Sequence, residues 1–321
     1  MKVSDWLIEL VLCHFAEGIG AENLMYTNEP FYRFPIFQIP ASLAILFITL
    51  ALLSRMFSWF TPTVSIHVAL DLSNSTYGDV VNFRQPGTVM MTEIESVKEY
   101  ARRNANLSSP NLISVSAFAN QVVPITNQFS SKPTDIENAL DQVIQPSLIS
   151  RLGGGTNLDA AVENAIGQLI TQVGRCKEVV VVTDGQAVLR SQVLDQALGS
   201  KIKLNFLLIN DQKEVPRNLE EDATKTGGTA LVASPENFVT LLSQKVFNRV
   251  NKNPLVVLFS GLAWVCFIWA LVLPLERFLR RVIKIRPAVA SRFVIFNTIL
   301  WTTATPLTLF FLGLLSNLGT C

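Results

Sequence analysis

The chain has 321 residues, of which 49% are hydrophobic and only 16% are charged, and its mean hydropathy is +0.36. This composition is too apolar for an ordinary soluble domain and is typical of a membrane protein. The formal charge is only +1, and no face interleaves basic with aromatic residues, so the sequence argues against a nucleic-acid partner.

The chain begins with a segment, residues 1–34, whose stretch from Asp5 to Phe15 is too short to span a bilayer and is suited to lie on its surface. A run without charge follows from Pro35 to Leu53, and it predicts a first transmembrane helix over residues 35–55. This run starts too far along the chain for a signal peptide and lacks a small-residue cleavage site. We therefore interpret it as a retained anchor.

Residues 63–250 alternate between short strands that are apolar on both faces and helical segments. This alternation predicts a doubly wound α/β domain with a mostly parallel sheet. The predicted strands are Thr63–Leu70, Leu112–Phe118, Val122–Phe129, Glu178–Thr183, Ile202–Asn210 and a short strand within residues 227–234. The predicted helices are Val89–Arg103, Thr134–Ile144, Leu158–Val173, Ser191–Leu198, Asn218–Lys225 and Pro235–Val250.

Two more apolar runs, over residues 254–275 and 293–316, predict a second and a third transmembrane helix. Residues 276–292 between them form a short loop that we expect to stay in the cytoplasm, because it is rich in basic residues. The α/β domain is then predicted to face the opposite side of the membrane. The apolar runs of these spans contain no charged residue, which argues against a transporter. Thr302 and its neighbouring threonines are expected to bond between helices.

Three predicted loops carry small oxygen-bearing side chains at strand ends. Asp71, Ser73 and Ser75 follow the first strand, Thr156 follows a triple glycine before a helix, and Asp184 follows a strand of four valines. In a doubly wound sheet such groups gather at the carboxyl ends of the strands. Two carboxylates and three hydroxyls are ligands suited to Mg²⁺ or Mn²⁺, and the neutral hydroxyls leave the ion positive enough to bind an outside carboxylate.

Taken singly, each of these motifs is explained as well by a turn or a helix cap. Together, and in this order, they resemble the von Willebrand factor type A (vWA) domain with its metal-ion-dependent adhesion site (MIDAS), over roughly residues 63 to 248. The resemblance implies that the serines and the threonine bind the metal directly and that the aspartates act largely through water. It also implies that an Asp or Glu of a partner protein supplies the remaining ligand, and that one edge strand of the sheet is antiparallel.

The apolar runs on both sides of the domain extend the resemblance to the bacterial membrane-bound vWA proteins of the Bat type. This similarity implies a multi-pass protein of the bacterial inner membrane, and it makes a MoxR-type AAA+ ATPase or another vWA protein a candidate partner. The chain departs from that family at Thr76, where Met is frequent. It also has one predicted span before the domain and two after it, where Bat-type chains commonly have two and one.

An enzyme is the less favoured class. A phosphatase of the haloacid dehalogenase type needs an acid two residues after Asp71, where Ser73 stands, and a Ser-His-Asp hydrolase needs a positioned base in a chain whose histidines are His14 and His67. No nucleophile elbow or Walker A loop is present. We therefore expect a protein that mediates protein–protein interaction or complex assembly. An accessory subunit of a channel or transport complex is the alternative, and a metal-dependent hydrolase is a weaker one.

Overall fold

The computed structural model describes residues 30–57, 63–184, 188–209, 214–246, 250 and 253–311. The chain divides into two compact units, an α/β unit from Leu53 to Leu255 and a helical unit whose described residues are 30–52 and 256–311. Residues 1–29 of the surface segment predicted at the start of the chain lie outside the described residues.

The elements follow the predicted alternation of strands and helices. The described strands are β1 (Val64–Asp71), β2 (Leu112–Phe118), β3 (Val122–Pro124), β4 (Cys176–Thr183), β5 (Ile202–Ile209) and β6 (Ala230–Ala233). The described α-helices are α1 (Pro35–Met56), α2 (Asn74–Tyr77), α3 (Val89–Ala105), α4 (Pro133–Val143), α5 (Ile149–Leu152), α6 (Leu158–Ile170), α7 (Ser191–Gly199), α8 (Arg217–Lys225), α9 (Pro235–Thr240), α10 (Pro254–Ala270), α11 (Val272–Arg281) and α12 (Pro287–Phe311).

The six strands form one sheet in the order β3-β2-β1-β4-β5-β6. Its neighbouring strands are parallel except for β2 and β3, which are antiparallel, so the predicted mostly parallel sheet with one antiparallel edge strand is confirmed. The chain leaves β1 toward one edge and returns to β4 on the other side of β1. The carboxyl ends of β1 and β4 therefore flank the switch point of the sheet, where ligands bind in this architecture.

Helices cover both faces of the sheet because the strands are apolar on both faces. On one face, Ile66 and Val68 of β1 belong to a core with helices α3, α4 and α9. On the other face, Val179 and Val181 of β4 belong to a core with helices α6, α7 and α8. Both layers exclude water from the strands, which leaves the strand ends as the part of the sheet open to ligands.

Two predicted elements are much shorter than expected. The second strand of the β2–β3 hairpin ends at Pro124, which has no backbone N–H to donate and lies on the edge strand. The helix predicted over Pro235–Val250 is α-helical only to Thr240 and continues as a π-helical turn over Leu241–Val246.

Within the described residues, two helical segments are long and apolar enough to cross a membrane, judged by length and composition. They are Pro35–Met56 and Leu255–Arg281, with mean hydropathies of 2.3 and 2.5. The third predicted span, residues 293–316, begins within helix α12, which is not one of these two segments. Its last predicted residues, 312–316, lie outside the described range. The described residues therefore contain two candidate spans and not three.

The basic segment predicted as a loop over residues 276–292 is largely helical. Helix α11 continues to Arg281, and α12 begins at Pro287. Two interactions hold this region: Arg280 pairs with Glu276 at 3.7 Å, and the Ser291 hydroxyl donates to the same carboxylate at 2.8 Å. The buried side chain of Leu279 in α11 packs with Ala290 and Val294 of α12, which explains why the helix extends past the apolar run.

Polar and aromatic contacts join the helices of the helical unit. The rings of Phe47 in α1 and Phe259 in α10 stack with their centroids 6.3 Å apart. The indole N–H of Trp269 in α10 donates to the Thr302 hydroxyl of α12 at 3.1 Å. Thr302 thus bonds between helices as expected, whereas Thr303 and Thr305 donate to backbone carbonyls of their own helix.

The two ends of the α/β unit meet. Ser54 is close to its first residue and Asn253 is close to its last, and the side-chain amide of Asn253 donates to the backbone carbonyl of Ser54 at 3.1 Å. The same Asn253 side chain accepts from the backbone N–H of Leu255 at 3.0 Å. One residue therefore connects the chain entering the unit with the chain leaving it.

His67 is a structural residue of the sheet. It is completely buried in β1, and its two ring nitrogens each lie 2.8 Å from a hydroxyl of β2, those of Ser114 and Ser116. Burial lowers the pKa of His67 from 6.5 to about 4, so the imidazole is neutral near neutral pH.

This lowered pKa predicts a stability that depends on pH. The unfolded chain takes up the proton first as the pH falls from 6.5 toward about 4, so His67 should cost the folded state up to about 3 kcal/mol over that range. Thermal unfolding of the detergent-solubilised protein should show this loss, and His67→Asn should reduce it. If the unfolding midpoint of His67→Asn falls as steeply as that of the wild type when the pH is lowered, His67 is not the source of the pH dependence.

Candidate metal site

Asp71 brings a carboxylate into the interior at the end of β1. Its side chain is completely buried, and two hydrogen bonds hold it: the backbone N–H of Ser73 donates to Oδ1 at 3.0 Å, and the Thr183 hydroxyl donates to Oδ2 at 2.5 Å. The first bond closes an Asx turn that redirects the chain out of the strand. The second connects β1 to the end of β4, because these strands are parallel neighbours with Leu70 opposite Val182.

The two serines connect Asp71 with Asp184. The hydroxyl oxygens of Ser73 and Ser75 lie 3.0 Å apart, and the Ser75 hydroxyl donates to Asp184 Oδ1 at 3.0 Å. Ser73 is buried, Asp184 is half-buried and Ser75 is exposed, so this cluster runs from the interior to the surface. Four of the five predicted ligands are thereby joined by hydrogen bonds at the switch point of the sheet.

Thr156 lies on the neighbouring glycine loop between α5 and α6, and its side chain is exposed. The backbone N–H of Asn74 donates to the Gly154 carbonyl at 3.2 Å, which places this loop against the one that carries the serines. Among the described residues, Thr156 has no hydrogen bond to the other four predicted ligands. The glycine loop thus contacts the loop of the two serines, but in the described part of the chain no hydrogen bond links Thr156 itself to the cluster.

The glycine loop requires residues without side chains. Gly153 has a φ of 76°, in the left-handed region that glycine favours. A Cβ at Gly154 would lie 2.6 Å from the amide nitrogen of Asn74, and one at Gly155 would collide with Asn120. The backbone at these glycines therefore approaches the side chains of Asn74 and Asn120 closely. The helix that follows has Asn157 as its N-cap, whose side chain accepts from the N–H of Ala160 at 3.1 Å.

Negative charge accumulates at this end of the sheet. Burial raises the pKa of Asp71 to about 6 and also raises the pKa of Asp184. A third carboxyl belongs to Glu93 of α3, whose pKa is held well above its usual range by burial and by the charges of Asp71 and Asp184. Within the described residues, none of these three acids forms an ion pair with a basic side chain. The donor set therefore fits a divalent cation, which would supply the missing positive charge.

Thr183 and Glu93 were not predicted from the sequence as residues of this cluster. Thr183 directly precedes Asp184 in the sequence. Its hydroxyl could have been predicted as a hydrogen-bond donor to Asp71, because β1 and β4 are neighbours in the predicted fold. Glu93 occupies a position of α3 where the helical repeat places apolar residues, and that signal was present in the sequence. No group of three or more His, Cys, Asp or Glu side chains suited to a metal was found in the described part of the chain, so a metal here would depend on hydroxyl ligands.

No family model and no curated protein matches the sequence. Solved structures that resemble the chain include BatB from Bacteroides thetaiotaomicron, with 19% identity over 59% of this chain and 100% of that one and a TM-score of 0.45. A von Willebrand factor type A protein from Catenulispora acidiphila has 16% identity over 63% and 43%, with a TM-score of 0.45. Proximal thread matrix protein 1 of the mussel byssus, whose MIDAS holds zinc, has 21% identity over 59% and 48%, with a TM-score of 0.45. A Bat protein and vWA proteins are thus among the structures that this chain resembles.

The raised pKa of Asp71 predicts how the metal-free protein responds to pH. The folded state retains a proton on Asp71 between pH 3.8 and about 6, so stability is lost as the pH rises through that range, by up to about 3 kcal/mol. Asp71→Asn should raise the unfolding midpoint in EDTA at pH 7.5 and leave it almost unchanged at pH 4.

The matched control is Asp195→Asn on the exposed side of α7, which should alter neither value. Equal midpoints for Asp71→Asn and the wild type at pH 7.5 would show that the ionised Asp71 carboxylate does not destabilise the folded protein.

Proposed function

We propose that this protein is a membrane-anchored vWA protein that binds a partner protein through a divalent cation, Mg²⁺ or Mn²⁺. The cation would be held by Asp71, Ser73, Ser75, Thr156 and Asp184. The observation that carries the proposal is the hydrogen-bonded cluster of Asp71, Ser73, Ser75 and Asp184 at the switch point of the sheet. Hard oxygen donors of this kind suit these cations and not softer metals.

The surroundings of each residue support a division of roles. Asp71 is buried and fixed by Ser73 and Thr183, so it contributes charge from the interior. Ser75 and Thr156 are exposed, so they lie on the side of the site that a partner can reach. When bound, the cation supplies a positive charge that can coordinate an Asp or Glu of the partner. Such a contact is charge-assisted and directional, which favours specific recognition.

The two candidate spans support membrane anchoring of the chain both before and after the α/β unit. They precede and follow that unit in the chain, so two crossings place it on one side of the bilayer. The basic residues from Arg277 to Arg292 follow the second candidate span and favour the cytoplasm. We propose that the α/β unit faces away from the cytoplasm in the inner membrane of a bacterium. A cytoplasmic MoxR-type ATPase would then lie across the membrane from the metal site, and another vWA protein is the simpler partner.

We also propose that the protein is not an enzyme. His67 is held in the sheet by two hydroxyls, which makes it a poor general base. The hydroxyls of Ser73 and Ser75 contact each other and a carboxylate, an arrangement suited to holding a cation.

Metal dependence is tested on the purified full-length protein. Mg²⁺ or Mn²⁺ should raise its thermal unfolding midpoint, and Asp71→Ala or Thr156→Ala should abolish that shift without altering membrane insertion, because each removes an oxygen donor. Thr224→Ala, an exposed position on α8, should retain the wild-type response. If EDTA and both site substitutions leave stability and partner binding unaltered, the metal-dependent mechanism is wrong.

The orientation is tested by labelling introduced cysteines. Val173 is 88% exposed in the α/β unit, and Lys284 is exposed between α11 and α12. In right-side-out bacterial membrane vesicles, an impermeant maleimide should label Val173→Cys above the wild-type level before permeabilisation. Lys284→Cys should be labelled only after permeabilisation, and the reverse pattern would place the α/β unit in the cytoplasm.

A further inference from the structure

Glu93 is an acid on the buried side of a helix. It is completely buried in α3, as are Met90, Ile94 and Val97, which lie on the same side of the helix and belong to the core. Glu95, two residues further on, is different, because its side chain is 47% exposed and pairs with Lys98 at 3.3 Å. Glu93 therefore stands where helix packing alone would select an apolar residue.

The Glu93 carboxyl is also unpartnered. Neither of its oxygens has a hydrogen-bond partner among the described residues. Asp71, which is buried to the same extent, receives two hydrogen bonds. A buried carboxyl without partners destabilises a fold, so its presence needs an explanation other than core packing.

The position of α3 supplies that explanation. The helix packs against β1 and α2, the elements that contain Asp71 and Ser75. Burial raises the pKa of Glu93, and the charges of Asp71 and Asp184 raise it further, so the three acids interact electrostatically. Glu93 is completely buried, whereas Ser75 of the cluster is exposed.

We propose that Glu93 is a further residue of the cation site, a carboxylate behind Asp71 and Asp184 that increases the affinity of this end of the sheet for a divalent cation. This inference rests on the proposed function, because it concerns the same cation. Three acids together offer more negative charge than the two aspartates, and the hydroxyls add none. A bound cation favours the ionised form of Glu93, and the ionised form in turn strengthens binding of the cation through space.

The test measures cation affinity in the full-length protein in detergent. Glu93→Gln keeps the size of the side chain and removes its charge, and it should weaken Mn²⁺ binding about tenfold by titration calorimetry. Glu95→Gln, on the exposed side of the same helix, should leave the affinity as in the wild type.

A second cation separates an electrostatic role from a structural one. Coulomb energy scales with charge, so a tenfold loss for Mn²⁺ predicts a loss of about thirtyfold for trivalent Tb³⁺. A general disturbance of the fold has no reason to follow the charge of the ion. Equal losses for the two ions would contradict the proposal.

A second variant covers the case in which Gln is poorly accommodated. Glu93→Leu should pack into the surrounding apolar core, unfold no earlier than the wild type without metal, and bind Mn²⁺ as weakly as Glu93→Gln. Wild-type Mn²⁺ affinity in either folded variant would overturn the role of Glu93. If neither variant folds, Glu93 is a structural residue of the core, and its proposed role in cation binding is overturned as well.

Asp71→Ala distinguishes this inference from the proposed function. If Asp71→Ala loses Mn²⁺ and both Glu93 variants keep it, only the role of Glu93 fails. If Asp71→Ala also binds Mn²⁺ as the wild type does, the proposed cation site itself is wrong.

Discussion

Asp71 carries a carboxylate into the interior at the point where the strand order of the sheet reverses. Burial of such a group costs free energy, and hydrogen bonds from Thr183 and Ser73 offset part of that cost. The Thr183 bond exists only because β1 and β4 are parallel neighbours in the observed register. The chemistry of the strand ends and the topology of the sheet therefore depend on each other.

Helix α3 illustrates how the α/β unit combines a core with a charged strand end. Most of its buried residues, such as Met90 and Val97, pack against the sheet and stabilise the fold. Glu93 lies among them and is influenced by Asp71 and Asp184. The same helix thus takes part in hydrophobic packing and in the electrostatics of the cluster, so a change in one affects the other.

Much of the α/β unit was predictable, because its strands are short apolar runs whose signal is local. The bounds of β2 were predicted as observed, and the cluster of Asp71, Ser73, Ser75 and Asp184 followed from placing them at strand ends. The electrostatic influence of Asp71 and Asp184 on Glu93 was not predictable, because it depends on how distant parts of the chain fold together. Helix α11 extends past its apolar run because Leu279 packs on a neighbouring helix, which composition alone does not show.

The bond between Asn253 and Ser54 has a consequence for modularity. A domain whose two termini are adjacent leaves the rest of the chain and returns to it at nearly the same point. Domains of this kind tolerate insertion or exchange. The α/β unit could be deleted and its ends joined by a few residues without stretching the connection. Fusion of a different globular domain at the same junction would meet the same geometric requirement.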